Sequence, residues 1–340
     1  MDRKHFISSI LTAGAAVTAS SSYAAALTRA DKQTKVPPFL KPGDTIGITC
    51  PAGFITLEGI QPALKTMESW GFNIVIGKTV GLRDFTYGGT DEERRADLQQ
   101  MLDNPDIKAI MCARGGYGVV RIIDQLDFSY FKSHPKWIIG FSDITAIHCH
   151  LDRNFGIASI HSKMCNSFPA DNNLAEPVQL ETIQSIRSAL IGSAMNYAAP
   201  FNAANQAGKA KGNLVGGNLS LVETLAGSDS DLETAGKILF VEDTGEYLYS
   251  IDRMFWNLKR SGKLDKLAGL IIGGFKVKPD DPGEEFGKTI YDIVMEKVAG
   301  YGYPVCFDFP VGHQKNNAAL RCGMPHSLEV TTSGTTLISI

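Results

Sequence analysis

The chain has 340 residues, 44% of them hydrophobic and 20% charged, with a formal net charge of −3. That length accommodates two domains with hydrophobic cores, or one large α/β domain. The near-neutral charge and the lack of a Lys/Arg run with interleaved aromatics argue against nucleic acid as a partner, and after residue 26 no apolar stretch approaches the length of a membrane span.

Arg3, Lys4 and His5 precede an apolar run from Phe6 to Val17, and small residues follow through Ala26. A basic start, an apolar run too short to span a bilayer and an A-x-A-like site at Ala24-Ala25-Ala26 read as an export signal over residues 1–26. The mature protein is therefore expected in the periplasm or otherwise outside the cytoplasm. Lys4 stands where a twin-arginine signal has its second arginine, so the route stays open.

Past a polar linker at residues 29–35, short β-rich runs alternate with amphipathic helices. Thr45–Cys50 reads as a buried strand; Leu57, Ile60, Leu64 and Met67 mark one helix face ending at Gly71. Asn73–Ile76 is a second strand, Asp91–Leu102 a charged amphipathic helix, Ile107–Ala113 a third strand and Trp137–Phe141 a fourth. Such alternation predicts a mainly parallel sheet covered on both faces over residues 35–170. Chemistry in these sheets gathers at the carboxyl ends of strands. That rule selects Pro51-Ala52-Gly53, Arg114-Gly115-Gly116-Tyr117-Gly118 and Ser142-Asp143. Residues 171–209, rich in Asn, Ala and Ser with one helical piece near Val178–Ile191, read as a connection. Residues 210–340 read as a second, mixed domain. Its strands are expected at Ile238–Val241, Leu270–Ile272 and Val305–Asp308, with a helix over Ser250–Lys259 and a hairpin around Ser333-Gly334. The six cysteines lack the close pairs of a zinc site and several lie in apolar runs, which fits buried free thiols.

Ser142 falls where an apolar strand turns into a helix, since Ile144, Ile147 and Leu151 repeat at helical spacing. Unpaired backbone N–H groups there suit a developing oxyanion, and Gly140 allows close backbone passage, although Ile144 occupies the second glycine of G-x-S-x-G. A helix N-cap is the competing role for this serine. The Arg114–Gly118 run presents backbone N–H groups to an anion, as an oxyanion hole, a phosphate cradle or a plain tight turn; its spacing matches no nucleotide motif. Glu242 ends the strand Ile238–Val241 and could orient a histidine, bind a metal or face water. His313 follows the strand at Val305–Asp308, with an ordinary pKa suited to proton transfer. His148 and His150, two apart on a helix, point in different directions and make a poor metal pair.

Taken together, Arg114-Gly115-Gly116-Tyr117-Gly118, Gly140-Phe141-Ser142-Asp143, Gly216-Gly217-Asn218-Leu219-Ser220, Glu242-Asp243 and Gly312-His313 resemble, in order, the motifs of the LD-carboxypeptidase family of serine peptidases, whose relatives include microcin-immunity hydrolases. The resemblance runs from Pro42 to about Gly323. It implies a flavodoxin- or Rossmann-like parallel-sheet N-terminal domain and a smaller mixed α/β C-terminal domain, with the active site in the cleft between them. It implies Ser142 as nucleophile, His313 as general base, Glu242 as the acid holding the imidazole, and backbone N–H groups of Gly116 and Asp143 as oxyanion hole. Glu246 is a competing acid, less favoured because Glu242 directly ends the strand. No cofactor or metal is implied. The expected substrate is a murein-derived tetrapeptide losing its terminal D-alanine, with Arg114 a candidate for its carboxylate; a homodimer is left open. Where many members carry His-Gly-Pro-Met, this chain has His161-Ser162-Lys163-Met164, which puts substrate preference in question. The alternatives are a hydrolase of another acidic peptide or peptide antibiotic, and a non-catalytic periplasmic muropeptide-binding protein. Only a catalyst needs Ser, Glu and His together.

Overall fold

The computed structural model describes residues 34–340, so the leader-like pattern at residues 1–26 lies outside the described residues. The first half runs β1 (Thr45–Thr49), α1 (Gln61–Ser69), β2 (Asn73–Ile76), α2 (Asp91–Asp103), β3 (Ile107–Cys112), the short α3 (Ser129–Ser133), β4 (Trp137–Gly140), α4 (Thr145–Phe155) and β5 (Ser159–His161). The second half continues with α5 (Pro177–Leu190), β6 (Asn196–Ala199), β7 (Gly208–Asn218), α6 (Leu219–Thr224), β8 (Ile238–Glu246), α7 (Leu248–Arg260), β9 (Gly269–Val277) and α8 (Ile290–Val298). It ends with β10 (Val305–Cys306), β11 (Leu320–Cys322), β12 (Pro325–Thr331) and β13 (Gly334–Ser339).

Two sheets result, ordered β11-β5-β4-β3-β1-β2 and β10-β9-β8-β7-β12-β13-β6. In the first, β1 to β5 are all parallel and take the doubly wound order 2-1-3-4-5 of flavodoxin-like folds. The second is mixed: β7 to β10 are parallel, while β12, β13 and β6 join antiparallel. The expected α/β architecture is what the chain adopts.

The reasons are local. β1, β3 and β4 are buried almost throughout, as apolar runs without alternation must be when helices cover both faces. One face packs on α1 and α5 through Ala63, Met67, Ile183 and Ile186. The other packs on α2 and α4, and this core continues through α6 and α7 onto Leu239, Val241, Leu270 and Ile272 of the second sheet. α2 opens with a capping box, Thr90 and Glu93 each bonding the other's backbone N–H, and an acidic first turn that suits the helix dipole. Leu57 is exposed, because α1 begins only at Gln61, with proline in its first turn. α5 gives the stretch 171–209 a 14-residue helix buried on the first sheet, and β6 within the same stretch is an edge strand of the second. β11 pairs antiparallel with β5, so residues from the far end of the chain complete the first sheet. All six cysteines are buried and free.

Candidate active site

Three loops meet at the carboxyl ends of β1, β3 and β4. Gly53 N donates to Gly115 O at 2.8 Å, tying the loop after β1 to the glycine loop after β3. A β-carbon built on Gly115 would stand 3.2 Å from Ser142 Oγ, so the glycine loop passes directly against the serine after β4. Ser142 itself has φ +62°, a left-handed conformation that an L-residue holds only when its surroundings impose it. Such a strand-to-helix turn lifts the hydroxyl clear of the strand. No side-chain capping bond from Ser142 to a helix N–H is made.

Asp143 points back into the protein. Its buried carboxylate accepts from Val119 N at 2.8 Å and pins the far side of the glycine loop to the turn that leads into α4. Burial pushes its carboxyl up to about 6. Arg94 of α2, fully buried, donates from Nη1 to Pro51 O at 2.6 Å and Gly118 O at 3.0 Å, bridging the ends of β1 and β3. Sequence reasoning missed Arg94, since an arginine in a charged helix carries no sign that it turns inward. Arg114 donates to Phe54 O at 2.9 Å and lies over the Phe54 ring at 5.4 Å, on the β1 side of the site.

The second sheet brings the other partners. Glu242, at the end of the buried part of β8, has no exposed side-chain surface. Its Oε2 accepts from His313 Nδ1 at 2.5 Å and from His313 N at 3.1 Å. Nδ1 therefore carries the proton, which leaves Nε2 free to accept one. The close approach depends on Gly312: its φ is +102°, and a β-carbon there would fall 2.4 Å from Glu242 Cβ. The His313 ring packs on Phe141 with centroids 4.8 Å apart, which sets the imidazole beside the residue preceding Ser142. Glu246, the competing acid, lies at the half-buried end of β8, where its carbonyl accepts from Lys278 N.

The Gly216–Ser220 motif joins the two sheets. A β-carbon on Gly217 would meet Thr145 Oγ1 at 2.4 Å, and the same hydroxyl accepts from Asn218 N at 3.0 Å. Asn218 caps α6, and Asp243 holds Asn218 Nδ2 at 3.0 Å and Ser220 N at 2.9 Å. The residue after Glu242 thus fixes the seam against the first turn of α4. His148 and His150, two apart on α4, face inward to separate partners: one bonds Gly140 O at 2.9 Å, the other Ser230 Oγ at 2.9 Å.

A strained serine, a glycine loop and a histidine–carboxylate pair converging at strand ends define a class, the serine-type hydrolases on α/β sheets. The chain belongs to the LD-carboxypeptidase family: the family's N-terminal domain matches residues 46–162 and its C-terminal domain residues 211–328. It is 30% identical over 288 residues to murein tetrapeptide carboxypeptidase of Pseudomonas aeruginosa, covering 84% of this chain and 92% of that one. It is 26% identical over 316 residues to the microcin C7 self-immunity protein MccF of Escherichia coli, covering 84% and 91%. Among solved structures, muramoyltetrapeptide carboxypeptidase from Oxalobacter formigenes superposes with a TM-score of 0.75 at 27% identity, covering 87% of this chain and 98% of that one.

Proposed function

We propose that this LD-carboxypeptidase removes the terminal D-alanine from murein tetrapeptides, with Ser142 as nucleophile, His313 as general base and Glu242 orienting the imidazole. The observation that carries this reading is the buried Glu242 bonded to a half-buried His313 that rests on Phe141, next to a serine at φ +62°. Ser142 Oγ attacks the carbonyl carbon of the L-centre while His313 Nε2 takes its proton. The tetrahedral oxyanion is met by the backbone N–H groups of Asp143 and Gly116. Collapse expels D-alanine, whose amine receives the proton from His313, and leaves an acyl-serine. Water, deprotonated by the same imidazole, then releases the shortened peptide and restores the serine. The names of the relatives support the murein peptide as substrate.

Purified tetrapeptide incubated with wild type and with Ser142→Ala tests this by mass spectrometry. Loss of one alanine with the wild type alone is expected. An intact peptide in both, with folded protein, would discard the tetrapeptide assignment. Residues 1–26 support a site of action in the cell envelope. N-terminal sequencing of protein from the periplasmic fraction checks this, and a chain retaining residues 1–26 in the cytoplasm contradicts it.

A further inference from the structure

Lys163, in the loop after β5, is half-buried beside the site. Its Nζ donates to Gln314 O at 2.7 Å, the carbonyl of the residue next to His313. The same ammonium lies 5.4 Å from the centroid of the Phe141 ring, on which His313 also packs. It borders a cavity of about 300 Å³ whose wall includes Ser167, Gln179, Thr182 and Lys315. At the rim, Lys315 is neutralised by Glu176 at 2.6 Å, both side chains well exposed. Among the described residues Lys163 makes no ion pair. The inner wall thus holds a cation with one hydrogen-bond acceptor and donors to spare.

The reaction says which part of the substrate comes here. The imidazole that takes the serine's proton must hand it to the leaving amine, so the departing residue lies on the imidazole side of the scissile amide. That residue carries the free carboxylate by which a carboxypeptidase distinguishes a chain end. Arg114 is on the opposite flank, engaged by Phe54. Resting on the carboxypeptidase reading above, we propose that the cavity at Lys163 receives the terminal residue of the substrate, with its carboxylate held by the Lys163 ammonium. Burial, and after it the like charge of Lys276, draws the Lys163 ammonium below the usual lysine range. Glu242 opposes this from a distance, and a carboxylate bound at Nζ would offset it further.

The test compares a murein tetrapeptide with its C-terminal carboxamide, binding each by calorimetry to Ser142→Ala and to Ser142→Ala carrying Lys163→Met or Lys163→Arg. Thermal midpoints within a few degrees of one another verify the folds. The acid should bind the Ser142→Ala protein about ten- to a hundredfold more tightly than the amide, the scale of one charged hydrogen bond. Lys163→Met should erase that preference and Lys163→Arg keep most of it. A preference that survives Lys163→Met overturns the subsite, as does equal or absent binding of acid and amide before Lys163 is changed. D-alanine release by wild type is scored separately, so failure of the carboxypeptidase reading is not confused with failure of the subsite.

Discussion

At the scale of single residues, the site is assembled by backbone conformations that most side chains disfavour. Ser142 has φ +62° and Gly312 φ +102°, the first at the turn after β4 and the second letting its loop settle on Glu242. Gly312→Ala therefore combines left-handed strain with a β-carbon 2.4 Å from Glu242 Cβ, and the loop must move. The expected cost is about 1–3 kcal/mol in stability, with a loss of kcat far larger than any change in KM. Gly227→Ala is the control: its φ is +81°, but nothing lies within 4 Å of the added carbon. Denaturant titration and steady-state kinetics on both variants check the contrast. Equal kinetic effects would mean that Gly312 is not what holds His313 on Glu242.

Elements matter here chiefly for what they aim. Helix α2 reads from its residues as a charged amphipathic helix, and its capping box, acidic first turn and buried Leu98, Met101 and Leu102 agree. Yet Arg94 turns inward to the carbonyls of Pro51, Gly89 and Gly118 and organises two of the three loops of the site. Arg94→Met would take a donor from each of those buried carbonyls, leaving Gly118 O with Arg121 N at 3.2 Å. It should cost about 2–4 kcal/mol and lower kcat as the glycine loop loosens. Urea titration with kinetics measures both, and unchanged kcat would remove α2 from the account. Strands β1, β3 and β4 were readable because buried parallel strands are continuous apolar runs, and the site residues follow from where those runs end. β7 was not readable: Gly208–Asn218 is rich in glycine, which weakens strands, and two of those glycines serve close approach to Phe240 and Thr145. β11 could not be placed either, since a three-residue strand is assigned by a partner about 160 positions earlier in the chain.

For the whole molecule, one continuous core joins the two sheets, so the serine and the histidine–glutamate pair are held by a common fold. Its buried ionisable groups set how that fold responds to acid. Burial holds His148 and His326 down to about 4 and draws His161 well below the usual histidine range. These histidines stay neutral in the fold while the unfolded chain binds protons near pH 6.5. Their contribution is therefore complete above about pH 6.5 and declines as pH falls toward 4. Burial raises Asp143 and Asp243 to about 6, the opposite sign: stability from them grows as pH drops from 6 toward the unfolded carboxyl value. The denaturation midpoint should thus fall from pH 7 to 6, where the three histidines outweigh the two carboxyls, whose opposing contribution grows as pH drops further. His326→Gln, on β12, should reduce the first slope. A midpoint rising from pH 7 to 6 would contradict this assignment.

The proposed mechanism requires residues from two sheets to act as one catalytic unit, and the decisive experiment is the kinetics of Ser142→Ala, His313→Ala and the double variant on tetrapeptide. Residues that act as a unit are strongly non-additive, so the double variant should be about as slow as either single one, each several orders of magnitude below wild type. If the two losses multiply instead, Ser142 and His313 work independently, and the unit built across the Thr145–Gly217 seam is not the catalyst.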